Sequence, residues 1–260
     1  MKTIIAILFL LIAFWACEEK IDVYEGECGI YFDTKGAVLD TIVIPWGLEN
    51  SDVTEQKLKL RVCLLGDVAD YDRKFNLRVI TEEGDPLHAV EGEDFRILEE
   101  EYAIPAGKAE TLVEVQLLRA ADLDKRARRF TLQLEETPEL KFLYSRFWSL
   151  DSALWVGDER LRPIDYQRVI YMDERFKVPV WWDYENYGPR YFGTYSTKKC
   201  KFICDKMGID RKDFVASLAE SPLEANYLRW VGQYLHDYLR EHPEYEDNGE
   251  LMTMGSEFQE

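Results

Sequence analysis

The most regular pattern in this 260-residue chain is an alternation of apolar and polar positions between Cys28 and about Glu136. Between 57 and 65, leucine and valine occupy every second position, and the segment 112–118 repeats the arrangement. Side chains on a strand alternate between two faces, so this pattern is typical of half-buried antiparallel strands. Seven short segments separated by polar turns favour a β-sandwich of immunoglobulin-like type. The predicted strands are 29–32, 40–46, 57–65, 75–80, 95–104, 111–118 and 130–134.

Helix signals appear only in the last third of the chain. Ser196 can cap a helix that runs to about Met207, where Gly208 suits a left-handed C-terminal residue. Asp210 can cap a second helix to about Leu218.

The third helix has the clearest start. Residues 221–224 combine an N-cap serine, a proline at the first helical position and a glutamate at the third, and the helix should run to about Glu241. Its apolar positions recur every three or four residues, which predicts that one aromatic-rich face is buried. These positions are Leu223, Tyr227, Trp230, Val231, Tyr234, Leu235 and Tyr238.

These patterns predict an α+β chain with an N-terminal β-sandwich, residues 28–138, followed by a smaller, mainly helical region rich in aromatic residues, 139–243. Residues 166–176 are compatible with another strand. No low-complexity linker separates the two regions, so we expect them to pack together. The acidic tail, residues 244–260, lacks a period, and we expect it to be mobile.

The first residues have the layout of an export signal. A lysine at position 2, an apolar run too short to span a bilayer and a small residue at 16 predict a signal peptide over 1–16. Cys17 then becomes the lipid-bearing first residue of the mature chain, followed by a linker, 17–27. The acidic pair after Cys17 resembles the surface-export signal of Bacteroidetes lipoproteins. We therefore predict a lipid anchor in the outer membrane, surface-exposed, with a periplasmic orientation as the alternative.

Charge and motifs restrict the function further. A formal net charge of −18 argues against nucleic acid as a partner, because phosphate binding needs a basic surface. The sequence lacks a Gly-x-Ser-x-Gly elbow, a His-Glu-x-x-His motif and a glycine-rich phosphate loop. Acidic pairs such as 173–174 and 183–185 are common in a chain with fifty acidic residues. We predict neither enzyme activity nor a cofactor, with a divergent hydrolase as a less favoured alternative.

Acidic turns and cysteines are the remaining metal or redox candidates. Calcium prefers about six to eight oxygen ligands, but the nearby loop 119–129 carries five basic side chains that oppose a cation, so we predict solvated turns and no metal site. Cysteines outside the cytoplasm can pair, although buried free thiols are the interpretation that we favour. The acidic groups are Glu91, Glu93 and Asp94, and Asp67, Asp70 and Asp72; the cysteines are Cys28, Cys63, Cys200 and Cys204.

The segment 181–195 contains seven aromatic residues interleaved with polar ones. Flat rings can cover the apolar face of a sugar while carboxylates and amides bind its hydroxyl groups. Aromatic rings at this density also pack between helices and a sheet. We favour this interior packing over a glycan or peptide platform. The candidate ligand-binding residues are Trp181, Trp182, Tyr184, Asn186 and Tyr187.

Part of the chain resembles known sequences. The segments 89–95, 102–107, 113–118 and 130–134 resemble the second half of a Calx-β-type sandwich. Together with 66–73 and the lipoprotein start, they make the chain, over about 17–240, similar to a Bacteroidetes lipoprotein family known as domain of unknown function 4843. The resemblance implies a cell-envelope protein of nutrient-uptake or adhesion systems, with no established activity.

Our functional hypothesis is a non-catalytic accessory binding protein of a surface glycan-uptake or adhesion system, attached to the membrane by its lipid. The alternative is a structural or assembly lipoprotein that binds envelope proteins and no small ligand.

Overall fold

The computed structural model describes residues 26–34, 41–81, 84–143, 147–149, 161–163, 165–219 and 223–259. Within these ranges the chain forms a β-sandwich followed by a smaller, mainly helical region, which confirms the predicted α+β fold class. The predicted signal peptide and Cys17 lie outside the described residues. No helix in the described ranges is long and apolar enough to cross a bilayer.

The sandwich consists of two sheets. One has the strand order β1-β3-β7-β5, and the other has the order β2-β11-β8-β4-β6, while β9 and β10 pair separately. All neighbours are antiparallel except β2 and β11, which run parallel. The strands are β1 Gly29–Phe32, β2 Thr41–Pro45, β3 Glu55–Leu65, β4 Arg73–Ile80, β5 Phe95–Ile97, β6 Tyr102–Ile104, β7 Glu110–Leu118, β8 Arg128–Glu135, β9 Phe147–Ser149, β10 Leu161–Pro163 and β11 Gln167–Asp173.

The apolar faces of the two sheets form one core. The alternation in β3, β7 and β8 places every second side chain inside, as the sequence predicts. Phe95 of one sheet stacks on Phe130 of the other, with ring centroids 4.0 Å apart. Contacts of this kind join the two layers into a sandwich.

The predicted strand 95–104 is in fact two strands that belong to different sheets. β5 pairs with β7, whereas β6 pairs with β4. The intervening residues 98–101 are all exposed and include three consecutive glutamates, so the chain crosses from one sheet to the other there. The single-strand prediction was wrong because both halves place aromatic side chains inside and carry the same apolar signal.

The sandwich also extends beyond the expected boundary at 138. Strand β11 lies between β2 and β8, and its side chains Val169, Ile170 and Met172 are buried. Because β2 pairs in this sheet only with β11, the sheet needs β11 to hold that strand. The region 139–243 therefore contributes a strand as well as the helices.

In the described part of the chain after β11, three α-helices follow: α1 Thr197–Met207, α2 Arg211–Val215 and α3 Ala225–Glu241. The predicted caps of the first two are confirmed. The Ser196 hydroxyl accepts a hydrogen bond from the Lys199 amide, and Gly208 ends α1 in the left-handed conformation. The Asp210 carboxylate accepts hydrogen bonds from the first amides of α2, which ends at Val215, earlier than predicted.

Helix α3 begins later than the sequence predicts. Glu224 has an extended backbone and its side chain makes no capping hydrogen bond, so the helix starts at Ala225. Leu223 is buried in the helical core, and the chain stays extended to bring it there. The predicted capping residues Ser221 and Pro222 lie outside the described residues.

The expectation of a mobile tail was wrong for the described residues 244–259. Met252, Met254 and Phe258 are buried among the helices, and Ser256–Phe258 form a short 3-10 helix. Glu257 forms ion pairs with Arg190 and Arg229. Hydrogen bonding to Arg229, and then to Arg190, holds the pKa of the Glu257 carboxyl below its usual value. Three irregularly spaced apolar residues produce no periodic signal but suffice to dock this segment.

The four cysteines in the described ranges are free. Cys200 and Cys204 are buried in the helical core, where desolvation strongly raises the pKa of both thiols. Cys28 and Cys63 are half-buried, and desolvation also raises the pKa of the Cys63 thiol. The cysteines of α1 therefore act as small apolar side chains.

Two arginines fix the helical region to the sandwich through the turn at residues 46–51. Arg119, after β7, donates to the carbonyl oxygens of Trp46, Asn50 and Val53 at 2.8–3.0 Å. Arg211 of α2 is completely buried and donates to the carbonyl oxygens of Gly47 and Glu49 at 3.3 and 2.8 Å. It also donates to the Ser51 hydroxyl and the Asp205 carboxylate.

A partly buried carboxylate completes this junction. Glu174, just after β11, accepts hydrogen bonds from Arg119 and from Lys201 of α1. Burial disfavours its charged form, but the hydrogen bonds from Arg119 and Lys201 outweigh burial, so the pKa of Glu174 is lowered. The junction is therefore a polar network with opposite charges in direct contact.

We predict that Arg211→Met destabilises the protein by about 3 kcal/mol, because the carbonyl oxygens of Gly47 and Glu49 lose a buried donor. Lys212→Ala is the matched control: its side chain is exposed and pairs with Glu49 of the same turn, so the cost should stay below about 1 kcal/mol. Urea denaturation measures both values. Equal costs for the two variants would contradict the role given to Arg211.

We also predict that Phe258→Ala lowers the free energy of unfolding by about 3 kcal/mol, because a buried ring leaves a cavity. Leu251→Ala, in the same tail at an exposed position, should change it by less than about 0.5 kcal/mol. Thermal and urea unfolding test the pair. A tail that does not pack on the helices would make both variants neutral.

Candidate functional site

The segment 181–195 is built around two buried indoles. The side chains of Trp181 and Trp182 are only 1% and 2% exposed. Trp181 donates its indole hydrogen to the Phe214 carbonyl oxygen at 2.7 Å and meets the Phe214 ring edge to face at 5.1 Å. Neither indole can cover a ligand in this arrangement, so their prediction as binding residues is corrected to the interior packing that was the favoured interpretation.

The backbone around these indoles is closely fitted. A Cβ on Gly188 would lie 2.3 Å from the Trp182 indole, so only glycine lets the chain pass over this ring. A π-helical turn, Gly188–Phe192, follows and buries Tyr191 and Phe192. The aromatic density of the segment thus serves to build the core of the helical region.

The other three predicted binding residues lie nearer the surface. Tyr184 is 63% exposed, and Asn186 is exposed with a left-handed backbone, φ 61°. Tyr187 is half-buried and stacks on Tyr191, with centroids 5.8 Å apart. One exposed ring beside one amide is not the multi-ring platform that the sequence suggested.

Two clefts adjoin this region. A cleft of about 690 Å³ between the segment and the tail has polar walls, including Asp183, Thr194 and Ser256. A second, of about 750 Å³ at the junction with the sandwich, contains acidic residues Asp173 and Glu174. Both of these carboxylates already form ion pairs, Asp173 with Arg175 and Glu174 with Arg119 and Lys201. They are poorly placed to act as a general acid and base.

The acidic turns of the sandwich serve structural roles. Asp94 is buried and pairs with Arg128 at 3.0 Å, while its second oxygen accepts from the Val90 amide. Arg128 also pairs with Asp122. Asp72 accepts from the Ala106 amide and fixes the turn there. In the described parts of the chain, no group of three or more histidine, cysteine or acidic side chains is placed to hold a metal ion.

A set of exposed aromatic rings lies instead on α3. We call Tyr227, Trp230 and Tyr234 the aromatic face. Trp230 and Tyr234 are 54% and 44% exposed, and Tyr227 is half-buried. The ring centroids of Tyr227 and Trp230 are 5.7 Å apart, and those of Trp230 and Tyr234 are 5.8 Å apart. Both pairs are nearly parallel, with interplanar angles of 26° and 25°.

The sequence pattern predicts that Trp230 and Tyr234 lie on the buried side of α3, and that prediction was wrong. The buried side is aliphatic and includes Gly232, against which Phe258 of the tail packs. The aliphatic residues recur every three or four positions in the sequence. The aromatic residues recur in the same way, so the spacing alone did not show which set is buried. The buried residues are Leu228, Val231, Gly232, Leu235 and Leu239.

Hydrogen-bonding side chains border the aromatic face. Asn226, Gln233 and Asp237 lie four residues before, three after and seven after Trp230, so they share its side of the helix. All three are exposed. Gln233 donates its amide hydrogen to the Asp237 carboxylate at 3.2 Å. The surface therefore combines stacked rings with an amide–carboxylate pair.

Comparison with solved structures gives distant likenesses. A Bacteroides ovatus protein with a provisional carbohydrate-binding description is 10% identical with a TM-score of 0.37; the match covers 58% of this chain and 38% of that protein. The Calx CBD2 domain is 11% identical with a TM-score of 0.33, over 55% of this chain and 84% of the domain. A Bacteroides ovatus multidomain protein that includes DUF1735 is 18% identical with a TM-score of 0.31, over 53% and 55%. No curated protein matches the chain.

The family assignment comes from a sequence profile. The profile described as domain of unknown function, DUF4843, matches residues 24–209. This range takes in the whole sandwich and helix α1, and it confirms the family resemblance seen in the sequence. Because the match covers well over half of the chain, the protein belongs to the DUF4843 family.

Proposed function

We propose that this protein is a lipid-anchored component of the cell envelope that acts as a non-catalytic accessory binding protein of a surface glycan-uptake or adhesion system. The observation that carries the proposal is the start of the sequence, where a lysine, a short apolar run and Ala16 lead into Cys17 and two glutamates. This layout is that of an exported chain that receives its lipid at the cysteine. The anchor directs the sandwich and helices to the outer membrane, facing outward.

A binding role is favoured over catalysis by the chemistry of the described surface. The acidic side chains of the junction cleft are engaged in ion pairs, whereas the rings of the aromatic face are exposed. Large exposed rings are typical of recognition surfaces, because burying them on a ligand is favourable. The partners we propose are the membrane, reached through the lipid, and a glycan or envelope proteins.

The second candidate is a structural or assembly lipoprotein that binds protein partners and no small ligand. The burial of Trp181 and Trp182 favours it, because these rings stabilise the fold and leave no ring platform in their own segment. The two candidates share the anchor and differ in what the exposed surface contacts.

The anchor is tested by Cys17→Ser, with Cys28→Ser as the matched control. We expect Cys17→Ser to abolish incorporation of labelled palmitate and to move the protein from the membrane to the soluble fraction, because lipid attachment needs the thiol. Cys28→Ser should leave both unchanged. Continued labelling of Cys17→Ser would exclude the lipoprotein proposal.

A strain that lacks the gene separates the two candidates. Loss of cell-surface retention of labelled polysaccharides, with outer-membrane complexes intact, supports the accessory binding role. Loss of an outer-membrane complex with retention unchanged supports the assembly role and rejects the binding role.

A further inference from the structure

We infer that the aromatic face of α3 binds an extended, uncharged polysaccharide chain. This inference rests on the proposed binding role and assigns it a site and a ligand class. The site consists of Tyr227, Trp230 and Tyr234 with the bordering side chains Asn226, Gln233 and Asp237.

The rings form a row along the helix. Seven residues separate Tyr227 from Tyr234, which corresponds to about 10 Å along the axis. Neighbouring centroids are 5.7 and 5.8 Å apart, close to the span of one pyranose unit. The rings stack on one another, so a linear polysaccharide lying along α3 can contact the parts of all three that remain exposed. A compact monosaccharide would use only one of the three.

The rings are available and already ordered. Val231 and Leu235 fill the core side of the helix, so Trp230 and Tyr234 make their stacking contacts at the surface. Each ring restricts the rotation of the next, because the three are nearly parallel and adjacent. A preordered surface loses little conformational entropy when a ligand binds. This is the arrangement expected of a site rather than of scattered surface residues.

The border supplies groups that bind hydroxyls. The Asp237 carboxylate accepts hydrogen bonds, and the amides of Asn226 and Gln233 both donate and accept them. The hydrogen bond from Gln233 holds the Asp237 carboxylate on the same side of the helix as Trp230. Sugar hydroxyls point outward from the ring edge, so rings and border together match both surfaces of a sugar.

Charge disfavours anionic occupants and a second copy of this chain. The nearest arginine on the helix, Arg229, is engaged with Glu257 of the tail. The chain carries a net charge of −18, so anionic polymers and anionic lipid surfaces are repelled over long range. A second copy of this chain would bring a second carboxylate and the same negative charge. An uncharged polysaccharide meets none of these penalties.

The test is affinity electrophoresis of the full-length protein, purified in detergent, through gels containing soluble neutral polysaccharides: mixed-linkage β-glucan, xylan, galactomannan or dextran. We expect at least one to retard the wild-type protein. Trp230→Ala and Tyr234→Ala should each weaken that binding by at least about tenfold, which is roughly 1.4 kcal/mol. Asp237→Asn should weaken it several-fold. Tyr71→Ala, which removes a 51% exposed ring from the sandwich, is the control and should bind normally.

Circular dichroism and thermal melting establish that each variant is folded. We expect the variants to fold, because the substituted rings are exposed. Retardation that survives both ring substitutions overturns the site while leaving the binding role in place. If no neutral polysaccharide retards the wild-type protein, the ligand class is overturned, and the palmitate experiment decides the anchor separately. If light scattering shows a dimer that Trp230→Ala dissociates, a second copy occupies the face and the inference fails.

Discussion

The arrangement of this molecule depends on two guanidinium groups that hold one turn. Arg119 from the sandwich and Arg211 from the helices both donate to backbone oxygens of the 46–51 turn. Backbone oxygens move only with the chain, so the turn fixes both regions at once. The 46–51 turn also packs tightly on the segment after β11, where a Cβ on Gly47 would lie 2.3 Å from the Arg175 carbonyl oxygen. Burial makes the network costly to break, since each lost donor leaves an unsatisfied oxygen.

The docked helices and the tail then determine which surfaces remain free. Phe258 covers Gly232 on one side of α3, and the pairing of Glu257 with Arg190 and Arg229 fastens the tail. The aliphatic side of α3 is thereby closed, and its aromatic face stays at the surface. Membership of the DUF4843 family relates this protein to others but does not assign it a function. Its function therefore has to be inferred from the residues at its surface.

Local signals in the sequence predicted local structure well. Strict alternation located β3 and β7, and the capping chemistry of Ser196 and Asp210 placed the starts of α1 and α2. Features decided by long-range packing were not predictable in this way. The split between β5 and β6, the docking of the tail and the side of α3 that is buried depend on neighbours far along the chain. The candidate site was misplaced for the same reason: aromatic density marks rings but not their exposure.

The parallel pairing of β2 with β11 links the early part of the chain to a strand that follows β8 and the separate β9–β10 pair. During synthesis, β2 emerges long before its partner. The second sheet can gain this edge strand only after residues 167–173 have appeared, so a nascent sandwich has its β8 edge unpaired until then. Closure of the second sheet therefore has to wait until about two thirds of the chain has been synthesised.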